Sequence, residues 1–144
     1  MARALRFSVL PGRFAIHRLP AAAPMPDWAR RSPFISVTRT EDELSIVCAQ
    51  ECVPKDVRAA CGYMCVKLAG PFPLTESGII VSFLAPLAER GIPVFPIATF
   101  DTDYILVQES RWNDALAALA AAGHQLVLTN SLTLLRRRGS VLPL

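Results

Sequence analysis

Residues 92–108 read IPVFPIATFDTDYILVQ and decide the fold. The segment holds two mainly apolar runs, residues 92–100 and 103–108, separated by the turn pair Asp101-Thr102. Such runs predict two neighbouring strands over those residues. Proline has no backbone N–H group to donate, so Pro93 and Pro96 restrict the first of these strands to an edge of its sheet.

Segments with helical spacing lie on both sides of this strand pair. Apolar residues recur every three or four positions in residues 78–90 and again in 111–122, and Gly91 and Gly123 follow as the expected helix ends. Further strands are predicted at residues 63–69, before the first helix, and at 125–129, after the second. The order over residues 63–129 is therefore β-α-β-β-α-β, which is the order of the ferredoxin-like fold.

The first sixty residues hold predicted strands but little helix. Runs 4–10 and 13–19 are separated by Pro11-Gly12, and runs 34–40 and 44–48 are joined by an acidic turn. A loop rich in proline and alanine, residues 20–33, holds one predicted helical turn near Trp28. We therefore divide the chain into a reduced N-terminal unit (1–61), a complete unit (62–130) and a flexible tail (131–144).

The composition excludes several classes of function. Of the 144 residues, 52% are hydrophobic, which is too many for a disordered chain. The longest apolar stretch, residues 79–88, is too short to span a membrane. Basic residues lie at the two ends of the chain around an acidic middle, not on the single basic surface of a nucleic-acid binder. We expect a soluble, cytoplasmic protein that binds neither membrane nor nucleic acid.

The cysteines and histidines predict neither a cofactor nor a catalytic centre. The four cysteines form two C-x3-C pairs, whereas zinc sites usually show C-x2-C spacing, so buried free thiols are the simpler interpretation. His124 follows a helix end and is interpreted as a C-terminal cap or dipole partner. The chain has no common nucleophile, phosphate-loop or metalloprotease motif. An enzyme is therefore the least favoured class, and we expect no metal or cofactor.

Two segments could hold a ligand. At the start of the first long helix, Thr75 or Ser77 can cap the helix, and Gly78 lets another group approach the backbone N–H groups, which suit a carboxylate. Asp101 and Asp103 could receive a cationic group, although an Asx turn also explains them. Acceptors for a cation together with donors for a carboxylate would suit an α-amino acid, especially a basic one.

The chain resembles the small bacterial tandem ACT-domain proteins, which are similar to the regulatory half of aspartate kinases and to CASTOR-type arginine sensors. The resemblance is carried by residues 34–47 (FISVTRTEDELSIV), 74–79 (LTESGI), 82–88 (SFLAPLA) and 97–107 (IATFDTDYILV). It implies an α+β, ferredoxin-like (ACT, βαββαβ) tandem, with antiparallel sheets and helices on one face. It also implies an amino-acid-binding regulatory module without catalytic activity, whose ligand lies between two ACT units.

The resemblance also implies roles for particular residues. A Ser-Val pair faces the ligand, the helix start holds its carboxylate, acidic side chains hold its positive groups, and the T-F-x-T-D run closes the pocket. The residues that match these positions, with Asp101 as an additional acid, are Ser36, Val37, Glu76, Ser77, Gly78, Ile79, Thr99, Phe100, Asp101 and Asp103.

These observations lead to two functional hypotheses. The first is a sensor of a free amino acid, with arginine or lysine weakly favoured, that acts as a homodimer on a regulated protein. The second is a dimerising ACT scaffold that interacts with a partner protein without binding an amino acid. Whether the pocket forms within one chain or between two is left open by the sequence.

Overall fold

The computed structural model describes residues 3–128. Within this range, two short 3-10 helices precede β5 and α3, and the predicted tail from residue 131 lies outside it. The main elements, in chain order, are β1 (Arg6–Val9), β2 (Phe14–Leu19), α1 (Asp27–Arg30), β3 (Ile35–Arg39), β4 (Leu44–Ala49), β5 (Ala60–Leu68), α2 (Ile79–Glu89), β6 (Phe95–Ala98), β7 (Asp103–Gln108), α3 (Trp112–Ala121) and β8 (Gln125–Leu126).

The eight strands form one sheet centred on β5, the longest strand. One side of β5 pairs with β7, and β7 pairs with β6. The other side of β5 is shared: its first residues pair with β2, and its last residues pair with β1. The hairpin β3–β4 extends the sheet beyond β2. All of these pairs are antiparallel, which confirms the predicted α+β, ferredoxin-like class.

Strand β1 lies between β5 and β8, the first and last strands of the βαββαβ unit. Phe7 is opposite Leu68 of β5 on one side and opposite Leu126 of β8 on the other, where the pairing is parallel. Hydrogen bonds from the Gln125 and Val127 N–H groups to the backbone of β1 extend this pairing. The proposed division at residue 61 is thus crossed by a strand that comes from the N-terminal unit.

The helices cover one face of the sheet. Helices α2 and α3 pack on β1, β5 and β7 around Phe7, Phe83 and Leu119, which are fully buried, and α1 packs on the same face of β4 through Ala29. The opposite face carries a smaller apolar cluster whose buried members are Phe14, Val47, Cys65 and Leu106. Successive residues alternate between the two faces, as expected for strands that are covered on both sides.

Strand β6 is an edge strand, as its prolines predict. It pairs only with β7, and it spans Phe95–Ala98 instead of the predicted 92–100. The register places Ile97 opposite Tyr104 and Ala98 opposite Asp103. The strand is shorter than predicted because residues 90–94 form the turn out of α2, in which Gly91 has a φ of 65°.

His124 caps α3 through its backbone, as predicted: after Gly123, at φ 90°, the His124 N–H donates to the Leu119 carbonyl at 3.0 Å. Its side chain has a separate role that was not predicted. Its ring is buried, its Nδ1 accepts a hydrogen bond from the Leu5 N–H at 3.0 Å, and its Nε2 lies 2.9 Å from the Ser82 carbonyl oxygen. The neutral tautomer with its proton on Nε2 satisfies both contacts. His124 therefore links the start of β1 to α2 through its side chain.

Among residues 3–128, none of the helices has the length and apolar content that a membrane crossing requires.

Candidate functional site

A slot of about 300 Å³ lies between β3 and β6, two edge strands that each pair with a single strand within residues 3–128. The sheet curls so that these edges face each other, and residues 36–38 of β3 and 95–98 of β6 line the gap together with Ser45 and Val47 of β4. The volume is at the lower end of the range of roughly 300–1,000 Å³ that is usual for small-molecule sites.

The slot exposes unpaired backbone groups of β3. Residues opposite each other in an antiparallel pair alternate between hydrogen-bonded and non-hydrogen-bonded positions. The Thr40 N–H donates to the Glu43 carbonyl at 2.9 Å, which places Thr38 and Ser36 at hydrogen-bonded positions and Val37 between them. The N–H and C=O groups of Val37 therefore point away from β4 and into the gap.

The same alternation holds on β6. The Thr99 N–H donates to the Thr102 carbonyl at 2.9 Å, so that Ile97 and Phe95 are the residues bonded to β7. Pro96 and Ala98 consequently present their backbone groups to the gap. Pro96 sits at a position where its missing N–H costs no ladder bond. The slot thus offers carbonyl acceptors on both walls and N–H donors from Val37 and Ala98.

Ser36 and Val37, two of the residues predicted to bind a ligand, line the slot in different ways. Strand alternation places the Ser36 side chain on the same face as its partner Val47, toward the slot. The Val37 side chain points to the other face, and 42% of its surface is exposed. Val37 can therefore contact a ligand only through its backbone.

The predicted residues of the loop before α2 and of the β6–β7 turn lie near each other at one end of the sheet. The Phe72 N–H donates to the Asp101 carbonyl at 2.8 Å, and the Thr102 hydroxyl donates to the Leu68 carbonyl at 2.8 Å. A side chain at Gly70 would place a Cβ atom 2.9 Å from the Asp101 carbonyl oxygen. Because this close approach leaves space only for glycine, the loop and the turn form one packed corner.

Thr99 and Phe100 continue directly from the β6 wall of the slot into this corner. The Thr99 hydroxyl donates to the Thr102 carbonyl at 2.7 Å, so Thr99 stabilises the turn. The Phe100 side chain is 77% exposed, and Asp101 is exposed as well. Neither of these two residues lines the slot.

Glu76 makes its contacts within the chain. Its carboxylate forms an ion pair with the Arg3 guanidinium, and that guanidinium also lies 5.8 Å from the centre of the Phe72 ring. The backbone N–H of Arg3 donates to the Ser82 hydroxyl at 3.1 Å. Glu76, which was predicted to bind a positive group of a ligand, is therefore already paired with Arg3.

The start of α2 differs from the predicted cap. Gly78, at φ 84°, is the N-cap residue, and no side chain, from Thr75, Ser77 or elsewhere, bonds to the helix start. Glycine adopts this left-handed backbone without the strain that a Cβ atom would add. Ser77 is exposed, whereas the Ile79 side chain is buried in the core beneath α2. None of residues 76–79 lines the slot.

Asp103 is the most shielded of the predicted acids. It begins β7 opposite Ala98 and alternates onto the helix-covered face of the sheet. Partial burial raises the pKa of the Asp103 carboxyl above its ordinary value, because desolvation disfavours the charged form. Its side chain does not line the slot.

The slot residues that sequence reasoning missed are Thr38, Ser45, Val47 and the whole of β6. Thr38 and Ser45 could have been predicted from the sequence, because pairing across the β3–β4 hairpin places both on the same face as Ser36. The proximity of β6 to β3 could not be predicted from the sequence, because it depends on the curl of the entire sheet.

A larger open groove of about 1060 Å³ lies elsewhere, beside the β1–β2 turn and the loop after β4. Phe14, Phe34 and Tyr104 form its aromatic wall, with ring centres 5.6 and 5.0 Å apart along the row. None of the ten predicted site residues lines this groove.

Comparisons with known proteins agree with this architecture. A model of the ACT domain matches residues 58–121, and a second family model, described as an N-terminal domain, matches residues 12–56. No protein of curated function matches the chain.

Two solved structures are similar to this protein over most of its chain. The protein Atu0741 from Agrobacterium tumefaciens is 42% identical, with a TM-score of 0.82 over 89% of this chain and 96% of that one. The protein of unknown function VC0802 from Vibrio cholerae is 20% identical, with a TM-score of 0.67 over 83% and 91% of the two chains.

The regulatory subunit of aspartate kinase from Thermus flavus shares the fold. It is 11% identical, with a TM-score of 0.57 over 83% of this chain and 99% of that one. This likeness confirms the predicted similarity in fold to the regulatory part of aspartate kinases, whereas the likeness to CASTOR-type arginine sensors stays a prediction. The chain therefore contains a domain of the ACT family over residues 58–121 and belongs, over most of its length, to the same family as Atu0741.

Proposed function

We propose that this protein is a cytoplasmic regulatory module that binds a free amino acid between its two ACT-like units and has no catalytic activity. The ACT domain and the fold shared with aspartate kinase regulatory subunits support a regulatory role. The proposed ligand site is the slot between β3, from the N-terminal unit, and β6, from the C-terminal unit.

The observation that carries this proposal is the pair of unpaired strand edges facing each other across the slot. An α-amino acid has an ammonium group that donates hydrogen bonds and a carboxylate that accepts them. The carbonyls of Val37, Pro96 and Ala98 can accept from the ammonium group, and the N–H groups of Val37 and Ala98 can donate to the carboxylate.

Regulation would follow from the position of this ligand. A molecule hydrogen-bonded to both β3 and β6 stabilises the conformation in which these strands are close together, relative to conformations in which they are further apart. A ligand shifts a conformational equilibrium only by its difference in affinity for the two states. The change in spacing would be read by a regulated protein on the outer surface of the same units.

A second function, a dimerising scaffold without an amino-acid ligand, is favoured by one observation. Three large apolar side chains near the start of α2 and the β6–β7 turn are exposed: Leu74 at 70%, Val81 at 66% and Phe100 at 77%. Exposed apolar surface of this kind marks interaction sites. Such a surface serves a homodimer or a partner protein whether or not the slot binds a ligand.

A thermal-shift screen of the dialysed full chain against each of the twenty amino acids tests the first function. Binding at about 100 times the dissociation constant stabilises the folded state by roughly 2.7 kcal/mol, which raises the melting temperature measurably. One amino acid or a small related group is expected to do so. If none changes the melting temperature at millimolar concentration, the sensor function is wrong and the scaffold function stands.

A further inference from the structure

The inner surface of the slot carries hydroxyl groups but no charged side chain. Ser36 and Thr38 of β3 and Ser45 of β4 lie on the same face of the hairpin, beside the apolar side chain of Val47. Opposite them stand the apolar residues Phe95 and Ile97 of β6. Among residues 3–128, none of those that line the slot is acidic or basic.

The arginine next to Thr38 and two of the acids predicted to bind a ligand do not line the slot. Arg39 follows Thr38, but its guanidinium donates to the carbonyls of Ala21 and Ala23, the latter at 2.9 Å. Glu76 is paired with Arg3, and Asp103 lies on the helix-covered face. A cationic ligand side chain in the slot would lose its hydration without gaining a carboxylate partner, which is strongly unfavourable.

We infer that the slot selects an α-amino acid with a short, uncharged, hydroxyl-bearing side chain, and that Ser36, Thr38 and Ser45 recognise that hydroxyl. This inference rests on the proposed function and names its ligand class. The strand edges bind the ammonium and carboxylate groups that all amino acids share, so the three hydroxyls decide between side chains. It replaces the weak preference for arginine or lysine that the acidic residues suggested.

The space available agrees with this ligand class. A slot of about 300 Å³ is large enough to hold a single small amino acid. A site built to hydrogen-bond a ligand hydroxyl also rejects an analogue that lacks it, since the polar groups of the site are then left unpaired. Threonine should therefore bind better than valine, which has nearly the same shape but no hydroxyl.

Isothermal titration of the full chain with L-threonine, L-serine, L-valine, L-lysine and L-arginine tests the inference. We expect binding of threonine or serine, at least ten-fold weaker binding of valine, and weaker binding still of the two basic amino acids. The Ser45→Ala and Thr38→Val variants should each bind three- to ten-fold more weakly, the usual effect of one lost hydrogen bond.

Matched variants separate recognition from folding. Ser8→Ala removes a hydroxyl of similar partial burial from β1, outside the slot, and should leave the affinity unchanged. Thr38→Ser keeps the hydroxyl and should bind threonine nearly as well as the original chain. This variant keeps position 38 testable even if Thr38→Val folds poorly.

Two results would overturn the inference while the proposed function stands. One is tighter binding of lysine, arginine or valine than of threonine and serine. The other is threonine binding that Ser45→Ala and Thr38→Val both leave unchanged. Absence of binding by every amino acid of the full screen would remove both the inference and the proposed function.

Discussion

The four cysteines differ in their access to solvent. Cys48 and Cys65 are buried, Cys52 is half-buried and Cys61 is exposed, and all four thiols are free. Burial raises the pKa of the Cys48 thiol to about 11 and that of Cys65 to about 12, from an ordinary value of 9.0. Since the thiolate is the reactive form, these two thiols are unreactive near neutral pH.

We expect a thiol reagent at pH 8 to label Cys61 first and Cys52 more slowly, while Cys48 and Cys65 react only after unfolding. The measurement is a time course of labelling by intact mass, with and without denaturant, with Cys61→Ser as the variant that lacks the fast site. Rapid labelling of all four thiols in the folded protein would contradict the assigned burial.

At the residue scale, sequence patterns predicted chemistry within one strand better than chemistry between strands. Ser36 was placed at the site by the family resemblance of the β3–β4 segment, and it lines the slot. The buried role of His124 could not be predicted, because its partners Leu5 and Ser82 are 119 and 42 residues away. The same applies to Glu76, whose partner Arg3 is 73 residues distant.

At the scale of single elements, the sequence predicted each strand and helix that the structure describes, because period-2 and period-3.6 patterns are local. The prolines of β6 correctly indicated an edge. The pairing of β1 was not predictable in this way. A short alternating run can pair with many different strands. Only the complete fold shows that β1 pairs between β5 and β8.

The importance of β1 for the C-terminal unit leads to an element-scale prediction. Phe7 is 2% exposed and packs edge-on against Phe83, with ring centres 5.4 Å apart. Phe7→Ala leaves a cavity beneath α2 and should lower the free energy of unfolding by about 3–5 kcal/mol. Urea unfolding followed by circular dichroism measures this change.

Leu128→Ala is the control for Phe7→Ala, because Leu128 is 81% exposed and its truncation should change the free energy of unfolding by less than about 0.5 kcal/mol. If both variants lose the same small amount of stability, β1 contributes little to the core of the C-terminal unit and the assigned packing is wrong.

At the scale of the whole molecule, the predicted fold class is confirmed, while the curl that brings β3 and β6 together could not be predicted. Curl and twist depend on all strands at once, including the bulge between β2 and β5, where the pairing shifts register near Gly62, at φ 80°. The proposed ligand site lies between strands that are distant in sequence, so its shape depends on these long-range features more than the shape of any single strand does.

The exposed apolar residues near the start of α2 lead to a prediction about assembly. We expect the protein to form a homodimer through the surface that holds Leu74, Val81 and Phe100. Phe100→Asp and Val81→Asp introduce charges there and should shift the protein toward the monomer. Size-exclusion chromatography with light scattering, over a range of concentrations, measures this.

Leu128→Asp is the control for dimerisation, since Leu128 is 81% exposed but lies beyond β8, on a different element. A monomeric original protein at tens of micromolar, or a dimer that Phe100→Asp and Val81→Asp leave intact, would show that this surface is not a homodimer interface.

The position of β1 also affects how the chain reaches its fold. During synthesis, β1 leaves the ribosome long before β5 and β8, yet it pairs with both, and its bond partner His124 is 119 residues later in sequence. Contacts between distant residues slow folding, because the entropy of closing the loop is lost before the contact forms. The hairpin β3–β4 joins strands that are close in sequence and can form early, whereas β1 stays unpaired until β5 and β8 have been synthesised.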